Sequence, residues 1–220
     1  MEVPVVIGQV VSVNVGRPRT VEWRGRQVKS GIWKEPVAGP IGVRGVNLDG
    51  DDQADRRVHG GPDKAVYAYA IEDYRWWSSE LGRTLGPATF GENLTTEGVD
   101  LPAAVVGDRW LVGSATLEVC QPRFPCYKLG IRMGDDDFVD RFEAAGRLGT
   151  YLRIVEPGAV TAGDEIVLAH RPRADLTIGE MIEVDRDPTG DLLRRVAASP
   201  DVPERWRGRA IKALEGQQVQ

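Results

Sequence analysis

The chain has 220 residues, 41 % hydrophobic and 28 % charged, with a net charge of −5. This is the composition of a globular chain large enough for one sizeable core, and without a basic excess it disfavours nucleic acid or an anionic membrane as partner. Two Cys and two His are too few for a disulfide scaffold or a Cys/His-rich zinc module.

No stretch approaches the roughly 18 apolar residues of a membrane span. The first eight residues lack the basic and apolar regions of a secretory leader, so a cytoplasmic, reducing setting is expected, with Cys120 and Cys126 as free thiols. Gly 26 and Pro 14 predict many short strands and turns rather than long helices.

Residues 5–15 alternate Val6, Gly8, Val10, Ser12 and Asn14, a strand pattern. Residues 19–33 read as two strands around the turn Arg24-Gly25-Arg26, and residues 41–48 as another extended piece. Asp49-Gly50-Asp51-Asp52 is turn chemistry, and residues 58–62 read as a polar, glycine-rich loop. A β-rich run at 65–70 leads into a helix at 71–81, where Ile71, Tyr74, Trp77 and Leu81 share a face. Strands follow at 90–96, 105–112 and 115–121, the last two joined through Gly113-Ser114. A short helix at 138–145 and strands at 149–156 and 165–169 complete a β-rich region.

The texture changes after Pro172. Thr177-Ile178-Gly179-Glu180 has the spacing of a capping box, and Asp187-Pro188 and Asp201-Val202-Pro203-Glu204 read as further helix starts. Three short helices are predicted, at 178–184, 189–198 and 203–214. Nine basic and nine acidic residues fall within 171–220, so the acidic excess lies in the β-rich part. The expected organisation is mainly β: a barrel-like domain over residues 1–170 and a three-helix unit over 171–220. That unit is too small to bury a core alone, so its apolar residues (Ile178, Met181, Leu192, Leu193 and Trp206) should dock on the barrel or across a homodimer.

Few residues are candidates for chemistry. Cys120 ends an apolar alternation and reads as a small buried hydrophobe. Cys126 lies between a proline-braced segment and Lys128, with Arg123 three residues before it. Positive neighbours favour a thiolate, which suits a nucleophile or a soft metal ligand; the alternative is a structural loop cysteine. In His59-Gly60-Gly61-Pro62-Asp63-Lys64 the glycines let a ligand approach backbone amides and Lys64 offers a point charge to a phosphate; the alternative is a polar turn. Phe90-Gly91-Glu92-Asn93 places two polar side chains at one spot, or is a strand entry. His170 reads as solvated. No GxGxxG, P-loop, HExxH or GxSxG occurs.

Taken in order, Gly50-Asp51, Asp55, His59-Gly60-Gly61-Pro62-Asp63-Lys64-Ala65, Phe90-Gly91-Glu92-Asn93-Leu94, Gly107-Asp108, Gln121-Pro122-Arg123-x-Pro125-Cys126, Gly146-Arg147-x-Gly149-x-Tyr151, Gly158 and Gly163-Asp164 resemble the MOSC domain. The resemblance is closest to the bacterial YiiM-type MOSC proteins and runs over residues 5–170; the tail is similar to their three-helix appendage. It implies a β-barrel-like fold that binds the molybdenum cofactor, with Cys126 as ligand of the metal. It also implies reduction of N-hydroxylated bases such as 6-hydroxylaminopurine, with electrons from an external reductase. On that reading Lys64, Gly60, Gly61, Glu92, Asn93, Arg123, Lys128 and Arg147 bind cofactor or substrate, and His59 delivers a proton. The alternatives are a sulfur carrier with a Cys126 persulfide and a non-catalytic cofactor-binding module. Pyridoxal phosphate, which belongs to a different part of the molybdenum-cofactor sulfurases, is not expected.

Overall fold

A computed structural model describes residues 4–55, 60–174, 176–188 and 190–217. Its strands are β1 (Val5–Val15), β2 (Arg19–Trp23), β3 (Arg26–Ser30), β4 (Glu35–Val37), β5 (Ile41–Arg44), β6 (Asn47–Leu48), β7 (Val66–Ala70), β8 (Leu94–Glu97), β9 (Arg109–Val112), β10 (Ala115–Pro122), β11 (Thr150–Glu156), β12 (Gly158–Val160) and β13 (Glu165–His170). Its helices are α1 (Ile71–Leu81), α2 (Tyr127–Met133), α3 (Phe138–Ala145), α4 (Ile178–Arg186), α5 (Gly190–Ala198) and α6 (Glu204–Gln217).

Seven strands close into a barrel in the order β1-β13-β9-β10-β11-β7-β8, and β4 hangs on β1. Closure depends on β1 bending. Its first half pairs with β13, its middle with β8 and its end with β4, with register breaks at Val6/Gly8 and Val10/Ser12. Such breaks are how a long strand turns a barrel corner. All pairings in the ring are antiparallel except β7 with β8, which run parallel. Parallel neighbours need a crossover, and α1 lies within it.

β7 is buried along its whole length. Its aromatic residues open onto a cluster in which Tyr69, Tyr74, Trp77, Phe90, Phe138 and Phe142 stack with centroids 4.9–6.2 Å apart. Each buried ring stabilises the fold by on the order of 2 kcal/mol. Close approach at this end requires glycine at 149, where φ is +67° and a Cβ would fall 2.4 Å from the Ala68 carbonyl oxygen.

The helical tail docks on the barrel of its own chain. Ile178, Met181, Leu193 and Trp206 are buried in one continuous core with the strands. The Thr177 capping box forms as its spacing predicts: Thr177 Oγ1 accepts from the Glu180 amide, and Glu180 Oε2 accepts from the Thr177 amide. The start expected at Asp187-Pro188 is different. Asp187 closes α4 by donating its amide to the Glu183 carbonyl, and α5 begins at Gly190. Two further differences lie near the pocket. The strand expected from 90 begins only at Leu94, and residues 127–133, unassigned from sequence, form α2.

Candidate functional site

At one end of the barrel, loops and strand ends enclose a pocket with about 610 Å³ of empty space, its open mouth included. One wall comes from Ser30 at the end of β3 and Gly31, Ile32 and Lys34 after it, another from residues 51–54, a third from Lys64, Tyr67 and Tyr151, and a fourth from Arg123, Cys126 and Lys128. Among the described residues Gly91 and Asn93 also line it. Gly91 has φ +81°, and a Cβ there would lie 2.7 Å from the Ile32 side chain, so glycine lets these two wall segments pack closely.

The pocket is basic in an acidic chain. Lys34, Lys64, Arg123 and Lys128 line it against Asp51 and Asp52. Lys34 and Asp51 pair with each other in a buried contact. Asp51 also accepts from the Gly16 amide at 2.9 Å and from Asn93 Nδ2 at 2.9 Å. Asn93 Oδ1 in turn accepts from the Tyr67 amide, and its Nδ2 donates to the Asn14 carbonyl. Asn93 therefore ties β1, β7 and the 51–54 loop into one rigid wall.

Arg123 is buried, with its guanidinium over the Tyr67 and Phe142 rings at 5.2 and 5.8 Å. Burial opposes its charge, but Tyr67, Tyr151 and Cys126 nearby, together with a hydrogen bond to Tyr151, outweigh that and hold its pKa above the usual arginine value. Its Nη1 is buried and has no hydrogen-bond partner among the described residues. A desolvated cationic donor without an acceptor is costly, and an anionic ligand in the pocket supplies what is missing. Lys64 reaches the pocket from the turn Pro62–Lys64, with its ammonium 6.0 Å from the Tyr151 ring centroid. Burial lowers its pKa first and Arg205 second, against Asp63 and Cys126. Cys126, half-buried, is the residue immediately before α2.

The structure thus brings Lys64, Asn93, Arg123, Cys126 and Lys128 to one pocket. Gly60 and Gly61 lead into the Lys64 turn but do not line the wall. His59 lies outside the described residues. Glu92 is fully buried and is not among the lining residues: its Oε1 accepts from Tyr74 Oη, the Ala88 amide and Thr95 Oγ1. Arg147 is bound to Asp73 at 2.5 Å and stacks over Trp76, outside the pocket. Sequence reasoning did not single out Lys34 or Tyr67. Lys34 carries no motif, and Tyr67 reads as one more core residue of β7.

Among the described residues no group of three His, Cys, Asp or Glu side chains is placed to hold an ion. One half-buried thiol beside a cationic cradle suits a metal carried on an anionic organic cofactor, because soft metals take thiolate ligands and the cradle meets the cofactor's charge.

The sequence profile of the MOSC domain matches residues 55–167. The chain belongs to the MOSC domain family. It is 34 % identical over 205 residues to the uncharacterised protein YflK of Bacillus subtilis, spanning 92 % of this chain and 93 % of that one. It is 36 % identical over 155 residues to the protein YiiM of Escherichia coli, spanning 69 % and 68 %. The crystal structure of YiiM from Geobacillus stearothermophilus superposes with a TM-score of 0.77 at 30 % identity, over 93 % of this chain and 98 % of that one. A Gibberella moniliformis protein described as a reductase is 31 % identical over 169 residues, which are 75 % of this chain and 30 % of that protein. Membership carries the association of MOSC domains with the molybdenum cofactor. No helix among the described residues is long and apolar enough to cross a membrane.

Proposed function

We propose that the pocket binds the molybdenum cofactor with Cys126 as the chain's thiolate ligand, and that the loaded protein reduces N-hydroxylated compounds such as 6-hydroxylaminopurine with electrons from an external reductase. The observation that carries this reading is the buried Arg123 guanidinium, its Nη1 unpartnered, lining the same pocket as Cys126. Arg123, Lys64 and Lys128 meet the anionic charge of the cofactor, and the Tyr67 and Tyr151 rings, 5.4 Å apart, form an apolar wall beside it. When bound, the cofactor supplies two-electron redox chemistry. The reaction balances as R–NHOH plus two electrons and two protons giving R–NH2 and water. His59, just before the Lys64 turn, is assigned a proton that leaves with the hydroxyl oxygen. The fungal relative described as a reductase supports the reaction class.

Metal analysis of protein purified from a cofactor-competent host tests the binding. Wild type is expected to carry molybdenum near one per chain and Cys126→Ser to lose it; retention by the variant overturns the ligand assignment. An assay on 6-hydroxylaminopurine with a supplied electron donor then tests the activity. Loaded protein that leaves the substrate unreduced overturns the reductase reading, and a persulfide mass on Cys126 redirects it to sulfur transfer.

A further inference from the structure

The C-terminal helix α6 reaches the site at its first turn. Trp206, at the third position of α6, is 8 % exposed, and its Nε1–H donates to Gln121 Oε1 at 2.8 Å. Gln121, also 8 % exposed, uses its other amide atom: Nε2–H donates to the Asp63 carbonyl at 3.1 Å. Gln121 lies two residues before Arg123, and Asp63 is the residue before Lys64. The Trp206 ring packs on Phe124, between Arg123 and Cys126, with centroids 5.8 Å apart. The preceding residue, Arg205, is close enough to Lys64 to depress its pKa.

We propose that Trp206 and Gln121 are positioning residues of the candidate site. Together they clamp the Arg123–Cys126 segment to the Lys64 turn, so the helical appendage is part of the machinery that holds the cofactor cradle in shape. The physical reason is satisfaction of polar atoms. Gln121 has one acceptor and one donor function, both buried, and each is met by a different element. The segment it fixes follows directly on the last β10–β11 pair, Pro122 with Thr150, and its Pro125 lacks an amide donor.

This inference deepens the cofactor-binding reading, but its first readout does not need the cofactor. The Trp206→Phe variant keeps the ring on Phe124 and removes the N–H. The Gln121→Glu variant keeps an acceptor for Trp206 and removes the donor to Asp63. The rate of Cys126 alkylation by iodoacetamide at one fixed pH is followed by mass spectrometry in metal-free protein, with Ile211→Ala, an exposed change on α6, as control. Both site variants are expected to alkylate about five-fold faster than wild type, the scale of one lost hydrogen bond, with cooperative thermal unfolding retained. In protein from a cofactor-competent host, molybdenum per chain falls in the same two variants. Wild-type alkylation rates in both folded variants, or an equal rise in Ile211→Ala, overturn the proposal. If wild type itself carries no molybdenum, the cofactor reading fails while the alkylation result still decides the clamp.

Discussion

Lys34 and Asp51 form a salt bridge in the pocket wall, with side chains 8 % and 2 % exposed. Burial is the larger influence on Lys34 and lowers its pKa, while the Asp51 charge works the other way. Removing one partner of such a pair strands the other charge in a dry site. Asp51→Ala is therefore expected to cost about 3–5 kcal/mol in urea unfolding, and it also strips an acceptor from the Gly16 amide. A Lys34→Met/Asp51→Asn double variant is expected to regain much of this, because the charge is gone and an oxygen still faces Gly16. A cost below about 1 kcal/mol for Asp51→Ala shows that the pair does not anchor the wall.

Glu92 is buried one residue before Asn93 of the pocket wall, and burial raises its pKa from the usual glutamate value despite donors from Tyr74, Ala88 and Thr95. The sign follows from proton counts. Above pH 4.5 the unfolded chain releases this proton while the folded chain keeps it, so the Glu92 contribution is full below that pH and is lost as pH rises through the folded value. Glu92→Gln keeps the accepting oxygen and removes the titration. Its stability is expected to vary less with pH between about 4.5 and 7 than that of wild type, measured by urea melts. Parallel curves for the two proteins rule out Glu92 as a source of the slope.

The two thiols are expected to separate cleanly. Burial pushes Cys120 up to about 12, whereas Cys126 is half-exposed at the pocket. A thiol reagent at pH 8 is expected to modify one cysteine per native chain, almost none in Cys126→Ser, and the second only in guanidinium. Rapid modification of Cys120 in the folded chain contradicts the buried placement. The same shift predicts that the Cys120 contribution to stability is lost as pH rises above its unfolded value of 9.0.

Arg147 is predicted to act on the fold and not on the pocket. Burial raises the Asp73 pKa, and the Arg147 hydrogen bond and charge pull it back. Arg147→Ala leaves a buried carboxylate without that partner and bares the Trp76 face. A loss of roughly 1–3 kcal/mol in stability is expected, with molybdenum per chain unchanged. A variant of wild-type stability that loses the metal returns Arg147 to the site.

Local patterns were legible. The strands at β1 and β10, the Gly113-Ser114 hairpin and the Thr177 capping box depend on residues a few positions apart, and each forms where read, although β10 is buried almost throughout rather than on alternate residues. The strand expected from 90 starts late because Gly91 takes φ +81° and the Glu92 and Asn93 side chains are spent on hydrogen bonds to distant segments. Helix α2 escaped notice because it has seven residues, a glycine inside it and no side-chain cap.

By itself the sequence determined the β-rich class, the helical tail, the family resemblance and the thiol to test, since these rest on periodicity, capping chemistry and ordered motifs. Tertiary structure alone decided that β1 meets β13 to close the ring. It alone decided that Lys34 pairs with Asp51 across 17 positions, and that Trp206 reaches Gln121 across 85. Contacts at such separations depend on which polar atoms are left unsatisfied once the core is packed, and that is settled only when the whole chain has folded.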